Sequence, residues 1–105
     1  MDIEFKVKVT KTAKADIRSA FNYIKEELKE PEIAKNIMRE IDKTIIDLKF
    51  MPGRWGFSLD ETLASREYHR ALVKKYVILF LIDEVKKIVT VTNVFHGTQD
   101  YAKYV

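Results

Sequence analysis

The chain has 105 residues, a net charge of +3 and no cysteine. That length points to a single domain over residues 1–105, and the missing thiols exclude a disulfide framework, a thiolate metal site and a cysteine nucleophile. The longest apolar run, Tyr76–Ile82, falls far short of the ~20 residues of a membrane helix. A soluble, cytoplasmic protein with no membrane partner is therefore expected, and the small positive charge leans only weakly toward acidic partners.

Residues 2–10, DIEFKVKVT, alternate. Ile3, Phe5, Val7 and Val9 share one side, as in a half-buried strand. From Thr12 the period changes. Ala13, Ile17, Ala20, Phe21, Ile24 and Leu28 recur at spacings of three and four, the apolar stripe of a helix. Pro31 suits the first turn of a second helix, whose stripe runs through Ala34, Ile37, Met38, Ile41, Ile45 and Leu48. Met51-Pro52-Gly53 ends it. Almost no loop separates the two helices, so they fold back as a hairpin.

Residues 53–64 read as a loop, with Trp55 and Phe57 tucked beneath it. From Arg66 the pattern is β again: REYHRALV, then YVILFLI, then KIVTVTNVF. A Lys74-Lys75 turn pairs Val73 with Tyr76, Leu72 with Val77 and Arg70 with Leu79. Arg66, Tyr68, Arg70, Leu72, Val77 and Leu79 then share one face, and His69 lies on the other. Pairing Ile82 with Ile88 in the next hairpin adds Asn93 and Phe95 to the Arg70 face. YVILFLI is apolar on both parities and reads as a central strand covered on both sides. The order β-α-α-β-β-β makes an α+β fold, a helical hairpin on an antiparallel-rich sheet.

The strand pair YHRALVKKYVILFLID and the ending VTNVFHGTQDY resemble the RelE/ParE toxin superfamily of bacterial type II toxin–antitoxin modules, with the ParE-like branch favoured. The matching residues are His69, Arg70, Leu72, Val73, Tyr76, Phe80, His96, Gly97, Asp100 and Tyr101. The resemblance implies a growth-inhibiting toxin neutralised by a cognate antitoxin that wraps around it. It also implies one of two targets. RelE-like members cut mRNA in the ribosomal A site, whereas ParE-like members poison DNA gyrase without nuclease chemistry. A non-toxic relic that keeps only the antitoxin interface is a third reading.

Metal-independent RNA cleavage needs a base for the 2′-hydroxyl, a cation for the developing phosphorane charge and an acid for the leaving oxygen. If this chain is a nuclease, Arg70, His96 and Tyr101 are its candidate working groups. Nuclease members place an arginine directly after the aromatic of the central strand; here that position is Val77. Only Arg66, Lys74 or Lys75 could substitute, and the gap favours gyrase as the target. His96 could equally be a strand-end ring bonded to a carbonyl or to Asp100, and Arg70 could be ion-paired with an acid of the 60–67 segment. His69 is expected to lie partly buried under the helices. Trp55 and Phe57 are expected either as antitoxin anchors or as a satellite core. Arg66 and Tyr104 join them as candidate partner contacts. No motif for a metal, cofactor or small-molecule substrate is present, and none is expected.

Overall fold

In the computed structural model, which describes residues 3–97, the chain forms a four-stranded sheet with a helical hairpin on one face. The strands are β1 (Lys6–Val9), β2 (His69–Val73), β3 (Tyr76–Asp83) and β4 (Ile88–His96). They stand in the order β1-β4-β3-β2, with β1 parallel to β4 and the other pairs antiparallel. The expected α+β architecture is present.

β1 is shorter than the alternation implied. Its register with β4 starts at Lys6–Ile88, and before it only an isolated bridge joins Glu4 to Phe50. Ile3 therefore has no strand beside it and is exposed, while Phe5 is buried. Thr10 then caps helix α1 (Lys11–Asn22), its hydroxyl accepting from the Ala13 N–H at 3.0 Å. The helix widens into a π-helical turn at Tyr23–Glu27, where the Leu28 N–H reaches the Tyr23 carbonyl. Lys29 turns left-handed at φ 53° and the Glu30 N–H bonds back to Ile24. That extra residue rotates Leu28 off the apolar stripe, leaving it 52% exposed. Helix α2 (Pro31–Asp47) starts on Pro31 and buries Ala34, Ile41 and Ile45, with Leu48 just past its end.

The 53–64 segment is more ordered than a loop. A short helix, α3 (Glu61–Ser65), is capped by Asp60, which accepts from the Leu63 N–H at 3.0 Å. It carries Leu63 onto the sheet face opposite the hairpin, against Val77, Leu79 and Phe95. β2 starts at His69 rather than Arg66, because Arg66 caps α3 and Glu67 is left-handed at φ 66°. β3 is thus covered on both faces, as expected of a central strand: Tyr76, Ile78 and Phe80 pack under the hairpin, and Val77 and Leu79 pack under α3.

The first hairpin has the expected register, with Val73 opposite Tyr76, Leu72 opposite Val77 and Arg70 opposite Leu79. The second does not. Asp83 pairs with Ile88 and Ile82 with Val89, because the Asp83 carboxylate accepts from the Val85 and Lys86 N–H groups and shapes the turn. Between Leu79 and Phe80 the register then shifts: Phe80 faces Val91 but Leu79 faces Asn93. Thr92 is the additional residue of this bulge. Its hydroxyl reaches the Leu79 carbonyl at 3.4 Å, and its own carbonyl accepts from the Thr10 hydroxyl at 3.0 Å. Val89 and Val91 consequently join the hairpin core, while Asn93 and Phe95 share the Arg70 face, as expected.

The cover on the second face hangs on Leu63, which is 1% exposed. Leu63→Ala is expected to lower folding stability by about 2–5 kcal/mol, measured by urea unfolding. A loss within the error of the measurement would mean that α3 is not part of the cooperative unit.

Candidate functional site

Parity along β2, β3 and β4 decides which of the candidate side chains can meet. Arg70 pairs with Leu79 and lies on the α3 side, half-buried, with its N–H on the Gly56 carbonyl. Among the described residues no acid stands within ion-pairing distance of it, so the anticipated pair with the 60–67 segment does not form. His96 pairs with Tyr76 and meets its ring edge-on, the centroids 5.3 Å apart and the planes at 84°. Tyr76 belongs to the hairpin core. Arg70 and His96 therefore project from opposite faces of the sheet. Val77, at the position of the missing arginine, is 4% exposed among Leu63, Leu79 and Phe95. Tyr101, Tyr104 and Asp100 lie outside the described residues.

The loop aromatics divide. Trp55 packs against the main core with the Arg54 guanidinium over its ring, and its buried indole N–H has no acceptor among the described residues. Phe57 is 52% exposed and stacks on His69, which stacks in turn on Phe80. The His69 Nδ1 sits 3.0 Å from the Trp55 carbonyl. His69 is thus partly buried on the hairpin face of the sheet, and the 55–57 segment also covers it. Arg66 is exposed at the end of α3. Segment 56–58 also lies along the outer edge of β2. The Arg70 N–H bonds to Gly56 and the Ser58 N–H to Tyr68, which among the described residues leaves the edge open from Leu72 onward.

Sequence reasoning missed an apolar groove between the hairpin turn and the β2–β3 turn. It has a volume of about 510 Å³ and is walled by Tyr23, Leu28, Ile33, Ile37 and Tyr76, with Lys74 and Lys75 on its rim. Tyr23, Leu28 and Ile33 are about half exposed there. The signal lay in Leu28, which the helical stripe assigned to the core before the π-helical turn rotated it outward. Against the groove lies a second cavity of about 440 Å³, between α1 and the end of β4, with Asp16, Ser19, Tyr23, Tyr76 and His96 in its wall. One Asp16 carboxylate oxygen accepts from the Val94 N–H at 2.9 Å. That bond occupies the edge of β4 beyond the last β1 pair, Val9–Val91. Burial pushes the Asp16 carboxyl above its ordinary value, and the Val94 bond pulls partly back. Burial also raises the Tyr76 phenol, with a smaller contribution from Tyr23. Among the described residues no group of three or more His, Cys, Asp or Glu could hold a metal ion, and no helix is long and apolar enough to cross a membrane.

Set against known proteins, residues 7–101 match the family described as the ParE toxin of type II toxin–antitoxin systems, parDE. Solved structures share the fold. One, from the chromosomal ParDE system of P. aeruginosa, aligns with a TM-score of 0.71 at 15% identity, covering 89% of this chain and 96% of its own. Another, from the toxin–antitoxin complex RelBE2 of Mycobacterium tuberculosis, aligns with a TM-score of 0.63 at 24% identity, covering 92% and 95%. No curated protein matches.

The Asp16 environment has a thermodynamic consequence. Its carboxyl holds a proton more tightly folded than unfolded, so its contribution to stability is greatest at low pH and declines as pH rises past 3.8. Asp16→Asn keeps an oxygen for the Val94 N–H and removes the desolvated charge. The stability of the Asn variant relative to the native chain is expected to grow as pH rises above 3.8 and to level off once the folded-state carboxyl is fully ionised. Parallel pH–stability curves from urea unfolding would contradict this assignment.

Proposed function

We propose, from the premise that this chain belongs to the ParE toxin family of type II toxin–antitoxin systems, that it arrests growth by binding its target rather than by cutting RNA, and that the target is DNA gyrase. The observation that carries this reading is the parting of Arg70 and His96 onto opposite faces of the sheet. General acid–base cleavage needs its cation and its titratable group converging on one phosphate. Here the Arg70 face is filled by Leu63, Val77, Leu79 and Phe95, and the His96 face by the hairpin core. Val77 cannot hold a phosphate, and among the described residues neither cavity beside His96 has an arginine in its wall. A toxin acting on gyrase works in the cytoplasm.

The cognate antitoxin is the second partner. Both solved relatives come from toxin–antitoxin systems, and this chain has a surface suited to such a guest. The groove along Tyr23, Leu28 and Ile33 would take the apolar side of an antitoxin segment, with acids of that segment reaching Lys74 and Lys75. The open edge of β2 at Leu72 and the exposed Phe57 ring offer further contact.

Two experiments test this. Purified protein is expected to inhibit DNA supercoiling by gyrase, and the Arg70→Ala and His96→Ala variants to inhibit about equally. Unimpaired supercoiling at saturating protein, or loss of growth arrest in both variants, would overturn the gyrase reading. Ile33→Asp is expected to weaken antitoxin capture by about tenfold or more without unfolding the half-exposed site, as read by calorimetric titration with the product of the adjacent gene. Unchanged affinity would place the antitoxin elsewhere.

A further inference from the structure

The cavity between α1 and the end of β4 combines features that the toxin reading leaves unused. Of the described residues in its wall, only Asp16 and His96 can carry charge near neutrality, and no lysine or arginine is among them. Asp16 spends its carboxylate on the single Val94 N–H and forms no ion pair among the described residues, although the chain as a whole is basic. A half-buried carboxylate without a counter-ion is costly to keep. Beside it stand two phenol rings. Tyr76 is only 7% exposed and lines the cavity. Tyr23 is 54% exposed and forms the outer wall. A carboxylate beside two aromatic walls is the chemistry that recognises an organic cation.

We infer that this cavity is a receptor for one organic cation, an ammonium or guanidinium group, with Asp16 as its counter-ion, Tyr23 and Tyr76 as its aromatic walls, and the hydroxyls of Tyr76 and Ser19 as further acceptors. The volume of about 440 Å³ accommodates a side-chain-sized guest and little more. The cation can come from two sources: a lysine or arginine side chain of a bound protein, or a free polyamine. The site stands on the wall residues alone and does not depend on whether gyrase or another target is correct.

The test is titration of the full chain at about pH 8, followed through the Val94 amide in proton–nitrogen NMR spectra, because that N–H reports directly on Asp16. The probes are n-butylammonium and N-ethylguanidinium as side-chain stems, putrescine as a free diamine, and n-butanol as the uncharged control. The cations are expected to shift the Val94 signal saturably and butanol is not. Asp16→Asn, which retains the Val94 acceptor, is expected to weaken binding by about tenfold. Tyr23→Ala, at an exposed position that folding does not rely on, is expected to weaken it severalfold, whereas Lys74→Ala on the neighbouring groove leaves it intact. Butylammonium or ethylguanidinium binding at least as well as putrescine assigns the guest to a partner's side chain; putrescine binding about tenfold better assigns it to a polyamine. Equal shifts with butanol, no saturation with any cation, or full affinity in both the Asp16→Asn and Tyr23→Ala proteins would overturn the inference.

Discussion

One extra residue in β4 decides on which face of the sheet His96 emerges. Side chains alternate along a strand, so a single inserted residue moves everything after it to the other face. Up to Val91 the β3–β4 register follows from the Asp83 turn; beyond it, Thr92 is added and Asn93 stands opposite Leu79. Without the bulge, His96 would emerge on the Arg70 face, where the two could address one phosphate. With it, His96 emerges beside Tyr76 and Asp16, under the hairpin. The bulge is held by side chains from two directions: the Thr92 hydroxyl on Leu79, and the Thr10 hydroxyl on the Thr92 carbonyl. The same Thr10 caps α1, so the start of the hairpin and the parity of β4 are fixed at one point.

From that point the rest follows. With Val89, Val91 and Val94 turned toward the hairpin, the main core closes over Ile78 and Phe80. Phe95 turned the other way leaves an apolar strip that needs its own cover, and Leu63 on α3 supplies it. The open edge of β4 past β1 is met by Asp16, which is also the charge in the cavity wall. Structural need and recognition thus share residues. The cost of desolvating Asp16 is accepted in the folded state, and any cation that reaches it would repay part of that cost.

Much of the fold was legible in the sequence because its periods are clean. The 3.6-residue stripes of α1 and α2, the Pro31 start, the Lys74-Lys75 turn and the doubly apolar β3 each specify an element without help from tertiary contacts. The family resemblance was legible too, in the order of Arg70, Tyr76, His96 and Gly97 along the strands. Gly97 has a direct physical reason: its N–H donates to the Lys75 carbonyl at 2.6 Å, and a Cβ there would sit 3.1 Å from the same oxygen. The misses were events of one residue or a few. A π-helical turn moved Leu28 into a groove wall, a five-residue helix is too short to show a period, and a bulge leaves no mark in composition. The faces assigned to Asn93 and Phe95 were right although the starting register was not, because the turn displaced the pairing by one residue and the bulge by one more. The groove and the Asp16 cavity were not legible, because their residues come from α1, the π-helical turn, α2, the β2–β3 turn, β3 and β4 and meet only in three dimensions.

The proposed reading, a binding toxin rather than a nuclease, rests on the parting of Arg70 and His96. The most direct measurement is to add the purified protein to an actively translating bacterial extract and map the 5′ ends of a reporter mRNA. The account predicts an intact message at protein concentrations that stop DNA supercoiling by gyrase. New 5′ ends at codons in the ribosomal A site would contradict it, and would mean that a catalytic site forms from groups the sheet does not bring together.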